Sequence, residues 1–288
     1  MINYFLDIAG LRIKMQTVAD ILMTERLMPF LCQEAERKPD FVLEISPSME
    51  LPQIDLSGQW RGQTCYLYRG QEKFIFHCKE VYAEPFAVTS IRRNGDIQLN
   101  YLPQYADYFT GSSGIFNRIG LETMLLQHQR LLLHASFVKY RENGILFSAP
   151  SGAGKSTQAE LWRKGMGAQI INGDRVAICR TQQKWTAWGI PYAGTSRIYR
   201  NDHASISAVV VLRQAKHNRI QRLQGGEIFR CLYPELSVHH WEQWYVNKVT
   251  SLLQKMIFDV PVFLLECLPE ESAVQLLHQT LEKEGLLK

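Results

Sequence analysis

The sequence predicts a mixed α/β (α+β) fold in two parts: a β-rich domain over residues 1–112 and an α/β domain over residues 113–288. Three observations lead to this prediction. The 288 residues correspond to about two domains of ~150 residues each, or to one large domain. Hydrophobic residues make up 46% and charged residues 21%, an ordinary globular composition that argues against disorder or a coiled coil. Strand-like runs dominate the first part, whereas strand-like and helix-like segments alternate in the second.

Local patterns argue against several classes of protein. No apolar run approaches the ~20 residues that a membrane span needs, and the longest, such as Ala208–Leu212, have the length of a strand. Asp7 and Arg12 interrupt the first apolar stretch, which argues against a signal peptide. The six cysteines form no C-x-x-C pair and are expected to be reduced thiols. We therefore expect a cytoplasmic protein that acts without a membrane.

Charge is distributed unevenly along the chain. Residues 1–112 hold 11 Lys and Arg against 14 Asp and Glu, a net charge of −3. Residues 113–288 hold 21 against 14, a net charge of +7, and within residues 163–230 the count is 12 against 3, a net charge of +9. A basic segment concentrates anions near it, although a solvated surface explains the same composition.

Residues 1–112 contain short runs of β-branched, aromatic and apolar residues bounded by turn residues, which predict strands. The predicted strands are Phe41–Ile45, Gln63–Tyr68, Phe74–Cys78 and Ile97–Tyr101, the last after an Asn94-Gly95 turn signal. One helix is predicted over about Val18–Ala35, and the turn-rich residues 108–114 are a candidate hinge. No spacing here is catalytic, so we expect an accessory or substrate-recruiting domain.

Residues 113–288 alternate between strand-like runs and segments with helical periodicity. The predicted helices are Ile115–His128, Lys155–Lys164, Val238–Phe258 and Glu271–Glu284. The predicted strands are Leu131–Tyr140, Ile145–Ser148, Ala168–Asn172, Val176–Cys179, Ile206–Leu212 and Val260–Glu266.

The most informative stretch is residues 145–157, in which an apolar strand runs into a glycine-rich loop that opens a helix. It matches the Walker A pattern, with Ala149 in place of the first glycine. Backbone N–H groups of such a loop surround a phosphate, and the helix N-terminus adds partial positive charge. The predicted nucleotide-binding residues are Ser151, Gly152, Ala153, Gly154, Lys155, Ser156 and Thr157. Lys155 would reach the β- and γ-phosphates of ATP and the Ser156 hydroxyl would bind Mg²⁺; a chance match in a Gly/Ser turn is the alternative.

Enzymes with this type of loop ordinarily place an acidic Mg²⁺ ligand at the end of a distant apolar strand. The strand Ile206–Leu212 ends in Arg213, so it supplies none. Asp174 follows the predicted strand Ala168–Asn172, only 19 positions after Lys155, and is the candidate catalytic carboxylate and, with Ser156, a candidate Mg²⁺ ligand. A plain turn residue in Asn-Gly-Asp is the alternative.

The order Leu131–His134, glycine-rich loop, Ile170–Val176 resembles the catalytic domain of HPr kinase/phosphorylase, whose fold is related to phosphoenolpyruvate carboxykinase. It is most similar to HPr-kinase-like serine kinases of peptide-modifying systems, over roughly residues 115–200. The resemblance implies that Asp174 accepts the proton of a substrate serine and that His134 is a site residue. The family's first acid of the pair is replaced by Gly173.

Other residues remain open at this stage. His134 is either a site residue or a core histidine. Arg197 and Arg200 follow a Gly-Thr-Ser turn and either neutralise developing phosphoryl charge or lie in solvent. Trp185 and Trp188 alternate on a strand, which favours the core over stacking on a base. No metal site is predicted at His239.

The expected activity is ATP- and Mg²⁺-dependent phosphorylation of a hydroxyl, most simply a serine, on a peptide, protein or small molecule. Two alternatives remain: a nucleotide-dependent binding or assembly module that transfers nothing, and, less well supported, a small-molecule carboxykinase. The expected partners are a nucleotide and the hydroxyl acceptor, without nucleic acid or membrane, and a homo-oligomer is left open.

Overall fold

The computed structural model describes residues 1–18, 27–34, 37–53, 57–70, 72–110, 115, 118–192, 194 and 196–287. The chain is a mixed α/β protein with two large sheets, as the sequence predicts. It divides into two compact units, Met1–Met124 and Leu125–Lys288. None of the helices in these ranges is both long enough and apolar enough to cross a membrane.

The first unit is built on one sheet, which holds nine strands in the described part of the chain. They are β1 (Ile2–Ile8), β2 (Leu11–Thr17), β3 (Leu31–Cys32), β4 (Phe41–Pro47), β5 (Gln59–Arg61), β6 (Thr64–Arg69), β7 (Glu72–Cys78), β8 (Pro85–Ile91) and β9 (Ile97–Tyr101). Their order is β3-β1-β2-β4-β9-β8-β7-β6-β5. All four strands predicted here are confirmed, and a turn containing Asn94-Gly95 joins β8 to β9.

The helix predicted over Val18–Ala35 is only partly testable, because residues 19–26 and 35–36 lie outside the described residues. Over residues 27–34 the prediction is wrong. A single 3₁₀ turn, Met28–Phe30, leads into β3, which pairs with β1. Pairing with the sheet satisfies the backbone groups that a helix would have used.

Two short helices follow the first sheet: α1 (Asp107–Thr110) and α2 (Leu121–Gln127). The helix predicted over Ile115–His128 is therefore confirmed only in its second half. The division between the units falls within α2, later in the chain than the predicted boundary at 112/113. Residues 113–124 include groups bonded to the first sheet: the Arg118 carbonyl accepts a hydrogen bond from Thr89, and Thr123 Oγ1 accepts one from Lys73 Nζ at 3.2 Å.

The second unit holds the other sheet, with eight strands in the described residues. They are β10 (Leu131–Tyr140), β11 (Asn143–Ser148), β12 (Gln169–Asn172), β13 (Arg175–Thr181), β14 (Lys184–Gly189), β15 (His203–Gln214), β16 (Arg219–Arg222) and β17 (Val262–Cys267). The order is β11-β10-β13-β14-β15-β17-β16, with β12 beside β10 and an added pairing of β11 with β15. Strands β11, β15 and β17 are parallel neighbours, so their carboxyl ends lie at one edge.

Helices cover both faces of this sheet: α3 (Lys155–Met166), α4 (Gly226–Leu232), α5 (Gln243–Asp259) and α6 (Glu271–Lys283). On one face α5 buries Tyr245 and Leu253 against residues of β10 and β13. On the other, Trp162 of α3 and Leu277 of α6 share a core with Phe147 of β11. Strand β11 and helix α3, which flank the loop, are thus both anchored in a packed core. The six predicted strands and the helices α3, α5 and α6 are confirmed.

Candidate active site

The glycine-rich loop connects β11 to α3 in a backbone conformation that needs glycine. Gly152 has a φ of +80° and Gly154 a φ of +109°, the left-handed region in which a side chain would be strained. A Cβ at either position would meet no atom within 4 Å, so the space beside the loop is open. The first intrahelical bond of α3 runs from the N–H of Gln158 to the carbonyl of Gly154, at 2.9 Å. The N–H groups before Gln158 therefore have no acceptor within the helix and suit an anion.

Lys155 opens α3 and its side chain is directed back over the loop. Its Nζ atom donates to the carbonyl oxygens of Ala149 at 2.7 Å and Pro150 at 3.2 Å. Burial lowers the pKa of the Lys155 ammonium, while the charges of Glu235 and Asp174 oppose that shift. A buried ammonium among carbonyls and near two carboxylates is a group whose charge a phosphate would compensate.

Asp174 lies in the turn between β12 and β13, and its backbone is held on both sides. The N–H of Asp174 donates to Asn172 Oδ1 at 3.0 Å, and its carbonyl accepts from the N–H of Ala135 at 3.0 Å. Asn172 is itself fixed, because its Nδ2 donates to the carbonyls of Ile190 and Tyr192. The carboxylate is about one-third exposed, so it is positioned yet accessible.

A close approach of the backbone confines the same carboxylate. A Cβ at Gly194 would lie 3.0 Å from Asp174 Cγ, so a larger residue there would require the carboxylate to shift by a few tenths of an ångström. At Gly173 a Cβ would lie 2.0 Å from Ser196 Oγ and 2.7 Å from its Cβ. An acid at position 173 would therefore displace Ser196, which explains why this chain carries glycine there.

His134 lies on β10 between two carboxylates. Its Nε2 atom is 3.7 Å from Asp174 Oδ1, and its Nδ1 atom is 2.9 Å from Glu235 Oε2. The hydroxyl of Ser148, at the end of β11, donates to the His134 carbonyl at 3.1 Å and so ties this position to the start of the loop. His134 is a partly exposed residue that links two acids, which is unlike a core histidine.

Glu235 is the residue that sequence reasoning missed. It ends a 3₁₀ turn, Tyr233–Glu235, that follows α4. A bridge between Leu236 and Leu133 and a bond from the Ser237 N–H to the Leu132 carbonyl hold this turn beside β10. Glu235 is 101 residues from His134 in the chain, so no local motif could identify it.

The structure brings Arg175, and not Arg197, to the Asp174 carboxylate. Arg175 Nε lies 3.7 Å from Asp174 Oδ2, and its Nη1 donates to Ser237 Oγ at 3.0 Å. Arg197 is exposed, with a φ of +52° and its N–H bonded to the Gly194 carbonyl, and no ion pair joins it to a described residue. Arg200 is also exposed, and its Nε donates to the Ile170 carbonyl.

The remaining candidates are structural. Trp185 is buried and its Nε1 donates to Asp259 at 2.9 Å, whereas Trp188 stacks on His203 with centroids 4.2 Å apart. Trp185 therefore lies in the core as expected, whereas Trp188 is half-buried. His239 bonds to Glu242 at 2.9 Å.

The oxygen atoms near the loop determine whether the site could hold Mg²⁺. Within the described ranges, no three His, Cys, Asp or Glu side chains form a group that could hold a metal by themselves. Mg²⁺ at phosphate sites is usually held by one or two protein oxygens together with phosphates and water. The exposed Ser156 in the first turn of α3 and the accessible carboxylate of Asp174 suit that requirement, and Ser151 and Thr157 are exposed beside them.

Comparison with known proteins gives a weak neighbour. No protein-family model matches the chain, and no curated protein matches it. A solved structure of the Hpr(Ser) kinase/phosphatase from Coxiella burnetii is similar over 54% of this chain and 93% of its own, with 12% sequence identity and a TM-score of 0.31. A likeness of this size does not determine function, which must be inferred from the residues around the loop.

Proposed function

We propose that this protein is an ATP- and Mg²⁺-dependent kinase that phosphorylates a hydroxyl, most simply that of a serine, on a peptide, protein or small molecule. One observation carries the proposal: His134, whose carbonyl accepts a hydrogen bond at 3.1 Å from Ser148 at the start of the Lys155 loop, has its Nε2 atom 3.7 Å from Asp174 Oδ1. A phosphate-binding cation and a positioned carboxylate at one place are the two groups that hydroxyl phosphorylation requires.

The loop and Lys155 bind and orient the triphosphate. Open N–H groups at the start of α3 contact phosphate oxygens, and the Lys155 ammonium exchanges its bonds to Ala149 and Pro150 for bonds to the β- and γ-phosphates. Ser156 and Asp174 would hold Mg²⁺, which would neutralise charge on the phosphates.

Asp174 acts on the acceptor as the general base. Its carboxylate accepts the hydroxyl proton while the acceptor oxygen forms a bond to the γ-phosphorus. The bond from that phosphorus to the oxygen bridging the β- and γ-phosphates breaks, and ADP leaves. His134 and Glu235 hold the carboxylate in orientation through the contacts at 3.7 and 2.9 Å. Arg175, whose Nε atom lies 3.7 Å from Asp174 Oδ2, would offset phosphoryl charge.

We further propose that residues 1–112 recruit or orient the acceptor, as an accessory part of the kinase. The groups that suit nucleotide chemistry, from His134 to Glu235, all belong to the second unit. Residues 1–112 are therefore available for acceptor binding. Their net charge is −3, whereas that of residues 163–230 is +9.

The direct test is a transfer assay on the full chain with MgATP labelled at the γ-phosphate and a library of serine-containing peptides. The expected product is a phosphoserine peptide, which loses its label in alkali and keeps it in acid. The same peptides with alanine in place of serine are the control and should stay unlabelled. ATP binding without transfer to any peptide and without hydrolysis of the γ-phosphate would contradict phosphorylation of a peptide serine and favour a binding module.

A further inference from the structure

A cavity of about 450 Å³ borders the glycine-rich loop, and neither His134 nor Glu235 is among its lining residues. It lies at the edge where the parallel strands β15 and β17 end, next to the loop that follows β11. Crevices at the carboxyl ends of parallel strands are the usual ligand sites of α/β sheets, and volumes of about 300–1,000 Å³ suit small molecules. Beyond the loop itself, the lining residues that matter here are Thr157, Gln158, Gln214, Ala215, Cys267 and Leu268.

The walls of this cavity are neutral. Among the described residues that line it, none carries a charged side chain, and Leu268 and Pro269 supply apolar surface. The loop beside the cavity offers N–H groups and Lys155 to an anion. The loop therefore suits a charged group, and the cavity suits an uncharged one. A ligand that fits both has a polyanionic end and an uncharged, partly apolar end, as a nucleoside triphosphate has.

We infer that this cavity binds the base and ribose of the nucleotide whose phosphates occupy the loop. The inference deepens the proposed kinase function and rests on it. A side chain also connects the two sites: Gln214, at the end of β15, donates from Nε2 to the carbonyl of Gly152 at 3.2 Å. This hydrogen bond connects a residue that lines the cavity directly to the backbone of the loop.

Gln158 gives the cavity a polar group with unused capacity. It is 2% exposed, and its Nε2 donates to the sulfur of Cys267 at 3.4 Å. Its Oε1 atom is buried and has no hydrogen-bond partner among the described residues. A buried carbonyl without a donor is costly, and the amino group of a base or a ribose hydroxyl would supply one after a small rotation of the amide.

The experiment compares two probes, MgATP and magnesium tripolyphosphate, by calorimetric titration of the full chain. The affinity for tripolyphosphate measures binding to the loop alone. The ratio of the two affinities measures what the cavity adds to the binding of ATP. The variants are Ala215→Leu, which narrows the cavity from a partly exposed loop position, and Gln158→Leu, which removes the amide at similar volume. Ser251→Leu, on the exposed side of α5, is the matched control.

The wild type should prefer ATP to tripolyphosphate, and Ala215→Leu and Gln158→Leu should each reduce that preference about tenfold, while tripolyphosphate affinity stays within about twofold. Ser251→Leu should change neither affinity. A preference for ATP that survives both cavity variants, or no preference in the wild type, would overturn the nucleoside site alone. A wild type that binds neither probe would instead overturn the proposed function.

Discussion

The Nδ1 atom of His134 lies 2.9 Å from Oε2 of Glu235, and the opposite ring nitrogen faces Asp174 at 3.7 Å. Carboxylates from two distant parts of the chain therefore contact one imidazole ring. A carboxylate bonded to one ring nitrogen fixes the tautomer and the orientation of the ring. We interpret Glu235 as a positioning residue that acts on Asp174 through His134.

Glu235→Gln keeps the shape of this side chain and removes its charge. We expect phosphoryl transfer to fall about 10- to 100-fold, the usual effect of losing a positioning partner. ATP should bind at least as tightly, since a negative charge near the phosphates is removed. The measurement is kcat in the transfer assay together with KM for ATP; Glu227→Gln, an exposed acid at the start of α4, is the control. A purely structural role would lower thermal stability and leave kcat of the folded protein unchanged.

Lys155→Ala removes the ammonium from the loop. ATP affinity should fall by about 10- to 100-fold, because hydrogen bonds to charged groups contribute about 1.5–3 kcal/mol each. Calorimetric titration with MgATP measures the loss. Lys164→Ala, exposed near the other end of α3, should bind ATP as the wild type does. Equal affinity in the wild type and Lys155→Ala would show that the loop does not bind phosphate.

Gly194→Ala tests the confinement of Asp174. The added Cβ would lie 3.0 Å from the Asp174 carboxyl carbon, so the carboxylate must move by a few tenths of an ångström or more. We expect kcat to fall about tenfold or more, since small misplacements of a reacting group are costly. Gly226→Ala is the control, because a Cβ there meets nothing within 4 Å. The hypothesis fails if both variants transfer phosphate equally well.

His77 provides a prediction about stability in the first unit. Burial, aided by the charge of Arg118, lowers the pKa of His77 from 6.5 to about 3. Between these values the unfolded chain binds a proton that the folded chain does not, so stability falls as pH drops from 6.5 toward 3, by about 1 kcal/mol per pH unit. His77→Gln should flatten the dependence of the thermal midpoint on pH over that range, whereas His217→Gln, at an exposed position, should not. An unchanged slope in His77→Gln would contradict this account.

Local sequence signals predicted the elements that carry the loop. Strands β10 and β11 and helix α3 were found nearly to the residue, because their apolar runs and glycine signals are encoded within a few positions. Strand β16 (Arg219–Arg222) was missed, since its only apolar residue is Ile220 and the strand exists by pairing with β17. Strand β2 was also missed, although Leu11, Ile13 and Met15 alternate with polar residues in a readable pattern.

The site was predictable only in part. Lys155 and Asp174 stand in or near the motif, and His134 was identified through a family resemblance. Glu235 and Arg175 gained their places from tertiary structure: the 3₁₀ turn carrying Glu235 lies beside β10, and Arg175 reaches Ser237 next to that turn. Arg197 was predicted as catalytic from its position after a turn, yet its φ is left-handed and its exposed side chain forms no ion pair with a described residue.

The central claim is that Asp174 is the base of a phosphoryl transfer, and Asp174→Asn tests it most directly. Asparagine keeps the shape and cannot accept the proton. The loop, Lys155 and Ser156 remain to bind MgATP, so ATP should still bind while transfer falls about 10²- to 10⁴-fold, the usual contribution of a general base. Asp202→Asn is the matched control, because that carboxylate is equally exposed and pairs with Lys139 at 3.2 Å. We expect the control to transfer phosphate at the wild-type rate. Asp174→Asn that binds ATP and transfers phosphate at the wild-type rate would contradict the account.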